Sequence, residues 1–336
     1  VSLCLRGKNK NKQMSQFLSC DWGTTAFRLR LIETESIRVI AEESTKQGIA
    51  ETYQSWKQSG RSEEARLPFY LQIISERINA IEQKTGASLK HVPLIISGMA
   101  SSTIGMTDLP YKHLPVFTDG SNLTIHTVEP TDAFRNKTIL ISGVRTEDDV
   151  MRGEETKLVG CAAGTKNNEL HVNIFPGTHP KHVEVQNGEA TAFKTYMTGE
   201  FFELLSKKSI LSVSVKEGGN IQSGQNLQSF EKGVKDSIQS NILHNCFLVR
   251  TNEVFKKLTA EQNFYYLSGL LIGAELKDIM GFAGNITVVA NETLSSQYVL
   301  ALRILGLAKQ VKMEDADTAL IKGQIQVLQK HCSKLN

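Results

Sequence analysis

The sequence has few cysteines, few prolines and no long apolar run, and each shortage excludes something. Its five cysteines (Cys4, Cys20, Cys161, Cys246 and Cys332) are scattered through 336 residues with no C-x-x-C pair. That argues against a disulfide framework and predicts a reduced, cytoplasmic protein. Only 7 prolines and 25 glycines exclude a fibrous or low-complexity chain. No uninterrupted apolar stretch approaches the ~20 residues that span a bilayer, so no membrane partner is expected. Two nucleotide signatures are also missing. There is no G-x-x-x-x-G-K-[ST] and no G-x-G-x-x-G at a strand–helix junction.

Acidic residues are absent from the first 13 positions, which hold Arg6, Lys8, Lys10 and Lys12. The formal charge of +3 comes from that stretch: 38 basic residues less these 4 leaves 34 against 35 acids, or −1 for the rest. A polyanion-binding face is therefore not expected, and nucleic acid is excluded as a partner on composition. Residues 1–13 read as a disordered tail ahead of a natural start at Met14, too short and too polar for a secretory signal. At ~100–200 residues per domain, the length predicts two domains.

What is present is a pattern that occurs twice. Residues 17–20 read as a buried strand that runs into Asp21-Trp22-Gly23-Thr24-Thr25. Residues 27–31 then alternate, a turn follows at 34–36, and a third strand begins near 37. The second occurrence has a strand at 171–175, the turn Pro176-Gly177-Thr178-His179, a strand at 182–186, the hairpin pair Asn187-Gly188 and a third strand at 191–196. Helices are predicted at 66–84, 154–163, 198–206, 258–280, 295–305 and 314–330, and strands at 92–96, 139–141 and 286–290. Residues 214–226 read as a surface loop.

The Gly-Thr turns at strand ends suit phosphate. Glycine lets backbone N–H groups come close, and the threonine hydroxyls add donors. Asp21 stands where a carboxylate could hold Mg²⁺ through water. His179 and His182 bracket a turn with no acid or cysteine to complete a zinc set, so His179 is read as shaping the turn. Gly269 and Gly273 share one helix face, which implies either close approach of another helix or room for an adenosine.

Asp21-Trp22-Gly23-Thr24-Thr25 resembles the first phosphate motif of the actin/hexokinase/Hsp70-like ATPases. Six further segments occur in order: Ser97-Gly98-Met99-Ala100-Ser101-Ser102, Pro110-Tyr111, 150–156, 176–179, 197–200 and 267–275. Together they resemble the 2-dehydro-3-deoxygalactonokinase family over residues 17–330. The resemblance implies an α/β protein of two lobes, each a ribonuclease H-like βββαβαβα unit with a mixed sheet flanked by helices and with ATP in the cleft between them. The lobes would be 14–168 and 169–336, the second carrying the closing helix 314–330.

The resemblance further implies MgATP-dependent phosphorylation of the terminal (6-) hydroxyl of 2-dehydro-3-deoxy-D-galactonate in galactonate catabolism. Gly23, Thr24 and Thr25 would face the γ-phosphate, and Gly177 and Thr178 the β-phosphate, with His179, Lys181, Gly269 and Gly273 as further nucleotide contacts. The base would be Glu154, or alternatively Glu155, where related sugar kinases carry Asp. Arg152 is the first candidate for the substrate carboxylate, and Arg28 a weaker one. Ser101, Ser102 and Tyr111 are candidates for substrate hydroxyls. A homodimer is compatible with this reading. The alternatives are a same-fold kinase for another keto-deoxy sugar acid or a neutral sugar, and a non-catalytic nucleotide switch.

Overall fold

The computed structural model describes residues 15–162, 169–307 and 311–333. The tail expected at 1–13, Met14 and residue 163 of the helix expected over 154–163 lie outside them. Among the described residues the chain divides into two units. One takes the chain to residue 167, residues 188–192 and the chain from 317. The other takes 168–187 and 193–316.

The first unit opens with β1 (Gln16–Trp22), β2 (Phe27–Glu33) and β3 (Arg38–Thr45), followed by α1 (Ile49–Gln58) and α2 (Arg66–Thr85). It continues through β4 (Leu94–Gly98), β5 (Lys112–His113), β6 (Val116–Phe117), β7 (Ile125–Val128), β8 (Thr138–Ile141), β9 (Val144–Arg145), β10 (Val150–Met151) and α3 (Glu154–Ala162). The main sheet has the order β3-β2-β1-β4-β8-β7, and β10-β9-β5 form a small one. Strand β4 is buried at every position, as a parallel strand covered on both faces must be. Helix α2 buries Tyr70, Ile74, Ile78 and Ile81, positions that recur every third or fourth residue, and it stops at Gly86 in the left-handed conformation (φ 67°).

The second unit holds β11 (His171–Phe175), β12 (Lys181–Gln186), part of β13 (Glu189–Thr195), α4 (Thr198–Lys208), α5 (Gly224–Gln239), α6 (Ile242–Val254), α7 (Ala260–Leu276), β14 (Asn285–Ala290), α8 (Glu292–Ile304) and β15 (Val311–Asp315). Its strands run β15-β14-β11-β12-β13. β11 is antiparallel to β12 and parallel to β14, as β1 is antiparallel to β2 and parallel to β4. The orders β3-β2-β1-β4-β8 and β13-β12-β11-β14-β15 correspond strand for strand, so both units carry the ribonuclease H-like arrangement of the actin-like ATPase fold. The expected hairpin forms, with Asn187 and Gly188 both at positive φ. A capping box also forms, with Thr259 and Gln262 bonding reciprocally at the start of α7.

Two expectations are corrected. The segment read as a loop to 226 is already helical at Gly224. The closing helix α9 (Ala316–Ser333) was expected in the second lobe, yet from residue 317 it groups with the first unit. The reason is its contacts. Asp317 pairs with Arg28 and Arg30, Gln324 donates to Cys20 O and Ser97 Oγ, and Gly323 meets the backbone of α3 at Thr156.

Candidate active site

Each Gly-Thr turn is tied down by the start of the helix that follows its unit's third strand. In the first unit the N–H groups of Ile49 and Ala50 donate to Gly23 O (3.0 Å) and Thr24 O (3.1 Å). Gly48 sits so close that a Cβ there would lie 2.3 Å from Thr24 O. In the second unit Glu200 N donates to Thr178 O (3.0 Å), and a Cβ on Gly199 would lie 2.3 Å from Gly177 O. The turn carbonyls are thus turned inward to a helix N-terminus, where unpaired N–H groups need acceptors. Thr24, Thr25, Gly177, Thr178 and His179 are left exposed, with donors available to a ligand.

Sequence reasoning missed Gly48. Its signal is a glycine at a helix start after a third strand, where the second unit has Gly199 in the first turn of α4. His179 bonds Glu200 on α4 (Nε2···Oε2 2.6 Å), bracing the second turn from outside. Lys181 is buried, and its ammonium donates to His179 O (2.9 Å). It braces the turn from beneath. His182 is buried apart from His179 and bonds Glu275 (2.8 Å), which also accepts from the Tyr298 hydroxyl (2.8 Å).

In the first unit the residues expected on the acceptor side collect at the C-terminal ends of parallel strands, the usual ligand edge of α/β sheets. Asp21 lies opposite Ser97 in the β1–β4 register. Gly153, at φ 108°, packs on the Gly98 Cα, where a Cβ would come within 3.4 Å. That contact brings the start of α3 to the strand ends. The Arg152 guanidinium lies 4.1 Å over the Tyr111 ring and donates to both the carbonyl and, at 2.7 Å, the hydroxyl of Ser101. Arg152 forms no ion pair among the described residues, so its charge is available to an anion. Ser102 instead turns its hydroxyl to Met99 O (2.7 Å).

The two glutamates at the start of α3 differ sharply. Glu155 is 1% exposed and accepts from Gly153 N (2.7 Å) and the Thr156 hydroxyl (3.0 Å). Burial, helped by the neighbouring Glu154 charge, pushes its carboxyl up to about 7. Glu154 is half-buried and accepts from Arg152 N (3.1 Å).

Two candidate assignments change. Arg28 is held by both oxygens of Asp317 (2.9 Å each) beside Glu42, a structural ion pair rather than a waiting anion site. Gly269 and Gly273 face α5: a Cβ on Gly269 would meet Phe230 O at 2.2 Å, and one on Gly273 would meet Ser237 Oγ at 2.4 Å. Helix packing, not nucleotide contact, explains them. Their neighbours Ser268, Leu271 and Ile272 line a cavity of about 170 Å³ in the second unit. It also touches Gly177, Gly199, Leu294 and Tyr298. Asn291 caps α8 by accepting from Leu294 N (3.0 Å).

The model of the 2-keto-3-deoxy-galactonokinase family matches residues 21–327. A Rhizobium meliloti (strain 1021) protein assigned as 2-dehydro-3-deoxygalactonokinase DgoK1 is 29% identical over 319 residues, covering 91% of this chain and 94% of the relative. The 2-dehydro-3-deoxygalactonokinase of Escherichia coli (strain K12) is 28% identical over 319 residues, covering 92% of this chain and 96% of that one. A solved Sinorhizobium meliloti structure assigned to the same activity superposes with a TM-score of 0.74 at 26% identity, covering 93% of this chain and 98% of that one.

Proposed function

Because the chain belongs to the 2-keto-3-deoxy-galactonokinase family, we propose that it transfers the γ-phosphoryl group of ATP to the 6-hydroxyl of 2-dehydro-3-deoxy-D-galactonate. The observation that carries this reading is the repeated turn, with the N–H groups of Ala50 and Glu200 at two helix starts holding the carbonyls of Thr24 and Thr178 inward while both threonines are exposed. Phosphoryl transfer needs donors fixed where charge accumulates, and a turn already tied to a helix start needs little reorganisation to supply them. Thr24 and Thr25 serve the γ-phosphate, Gly177 and Thr178 the β-phosphate. The cavity beside Gly177 and Gly199 takes the nucleoside.

Among the described residues no group of three or more His, Cys, Asp or Glu could hold a metal. The single carboxylate of Asp21, with the exposed threonine hydroxyls, fits Mg²⁺, which keeps most of its waters and leans on phosphate oxygens. Bound there, the ion neutralises phosphate charge.

On the acceptor side Arg152, propped by Tyr111 and Ser101, binds the sugar-acid carboxylate. Glu154 takes the proton of the attacking hydroxyl, since Glu154 is half-buried and Glu155 is fully buried.

The acceptor assignment is tested at Arg152. Arg152→Met keeps the side-chain length and removes the charge. It is expected to raise KM for the sugar acid by ~10–10²-fold, the worth of a charge-assisted hydrogen bond. KM for ATP should stay put, and Arg152→Lys should recover part of the loss. An unchanged sugar-acid KM in Arg152→Met removes the residue from carboxylate binding.

A further inference from the structure

Two helices of the second unit supply most of the wall of the cavity beside Gly177 and Gly199. Helix α7 contributes Phe264, Ser268 and Ile272, and α8 contributes Leu294, Gln297 and Tyr298. The spacing of three or four residues puts each set on one helix face. The greater part of that wall is apolar. Such a wall holds a flat ring well, but it discriminates poorly between rings of the same shape. Base identity has to be read by polar groups.

The polar side chains of the wall are already allocated, with one exception. Tyr298 spends its hydroxyl proton on the buried Glu275 (2.8 Å). Ser268 spends its proton on Gln297 Oε1 (3.0 Å). Thr198 stands next to Gly199, which packs on the Gly177 carbonyl, so it belongs to the phosphate-turn end. The exception is the Gln297 amide. Among the described residues its Nε2 makes no hydrogen bond to protein, and Oε1 keeps a second lone pair. Ser268 also decides which way the amide faces, because a hydroxyl that donates to Oε1 holds the oxygen on its own side. The held amide offers an acceptor beside a donor. Adenine is its complement, with an N6 amine that donates next to a ring nitrogen that accepts. A purine with oxygen at position 6 would set that oxygen against Oε1, and neither has a proton to give.

We infer that Gln297 selects adenine among purine nucleotides, with Ser268 as the positioning residue that fixes its amide. The inference rests on the cavity being the nucleoside site, and it adds what tells ATP from other purine triphosphates there. Calorimetric titration of the full chain with ATP and with ITP, Mg²⁺ present, tests it, since ITP carries oxygen in place of the N6 amine. The wild type is expected to bind ATP ~10–10²-fold more tightly than ITP, the worth of one bidentate amide pair. Gln297→Leu should all but close that gap by weakening ATP. Ser268→Ala should narrow it from the other side, by tightening ITP, because the released amide can turn Nε2 to the base oxygen. A role confined to joining α7 and α8 gives ITP no such gain. If Gln297→Leu loses its circular dichroism, Ser268→Ala decides alone. Equal affinities in the wild type, or a gap that Gln297→Leu leaves as it was, would overturn the inference and leave the kinase reading standing. An ITP affinity that Ser268→Ala does not raise would overturn the role of Ser268. A wild type that binds neither nucleotide would overturn the inference and the kinase reading together.

Discussion

Glu154→Gln is expected to lower kcat by ~10²–10⁴-fold, the usual contribution of a general base, with KM for ATP nearly unchanged. The two acids at the start of α3 share a helix terminus but not an environment. Successive helical residues point ~100° apart, so one turns inward when the other turns out. Glu155 is the inward one, at 1% exposure, with both carboxylate oxygens engaged by Gly153 N and the Thr156 hydroxyl. It cannot meet a substrate hydroxyl unless the helix start moves. Glu154 is half-buried, accepts from Arg152 N and adjoins the residue proposed for the substrate carboxylate. Glu155→Gln should therefore lose much less, because an amide oxygen can still accept from Gly153 N. Steady-state kinetics of the two variants side by side decide the matter. The reverse order would move the base to Glu155, and small losses in both would leave positioning as the dominant effect.

Glu155→Gln is expected to act on stability instead, and in a pH-dependent way. The carboxyl titrates near 4.5 in the unfolded chain and near 7 in the folded one, chiefly because burial penalises its charged form. Between those values the folded protein keeps a proton that the unfolded chain has released. Stability from this group is therefore full below about pH 4.5 and is lost as pH rises through 7. A shift of that size corresponds to about 3 kcal/mol. The glutamine variant carries no such titration. Denaturant unfolding of the two proteins from pH 4.5 to 8 should show the wild type falling behind the variant by about that amount. Parallel stability curves would mean that Glu155 is ionised throughout and that its hydrogen bonds offset its burial.

The repeated strand–turn–strand pattern was legible in the sequence because central strands advertise themselves through uninterrupted burial and tight turns through glycine. Helix α2 was legible for a similar reason, since its apolar spacing and Gly86 agree. Helix α5 was not. It packs on α7 through Gly233 and Ser237, spaced four apart, against the glycine face of the partner. The pattern is periodic in smallness rather than in hydrophobicity, and it reads as a polar loop. Helix α6 escaped because its apolar residues lie on both sides, Val249 buried with Asn245 and Asn252 while Leu243, Phe247 and Val254 are exposed. Arg28 stood as a candidate anion site because Asp317 lies 289 residues away, and no local pattern joins them. Gly269 and Gly273 were open to two explanations, and only the position of α5 chose between them. Arg152, Tyr111 and Ser101 were each visible as parts of motifs. Their convergence on one stacked cation depends on how β4 and β10 end.

The central claim is that this chain phosphorylates a keto-deoxy sugar acid at the expense of ATP. The most direct measurement is ADP release, coupled to a reporter reaction, over a panel of keto-deoxy sugar acids, aldonic acids and neutral hexoses with Mg²⁺ present. The account predicts strong stimulation by 2-dehydro-3-deoxy-D-galactonate, weaker stimulation by its stereoisomers and none by neutral hexoses. Clear turnover of a neutral hexose, with no response to any keto-deoxy sugar acid, would contradict it.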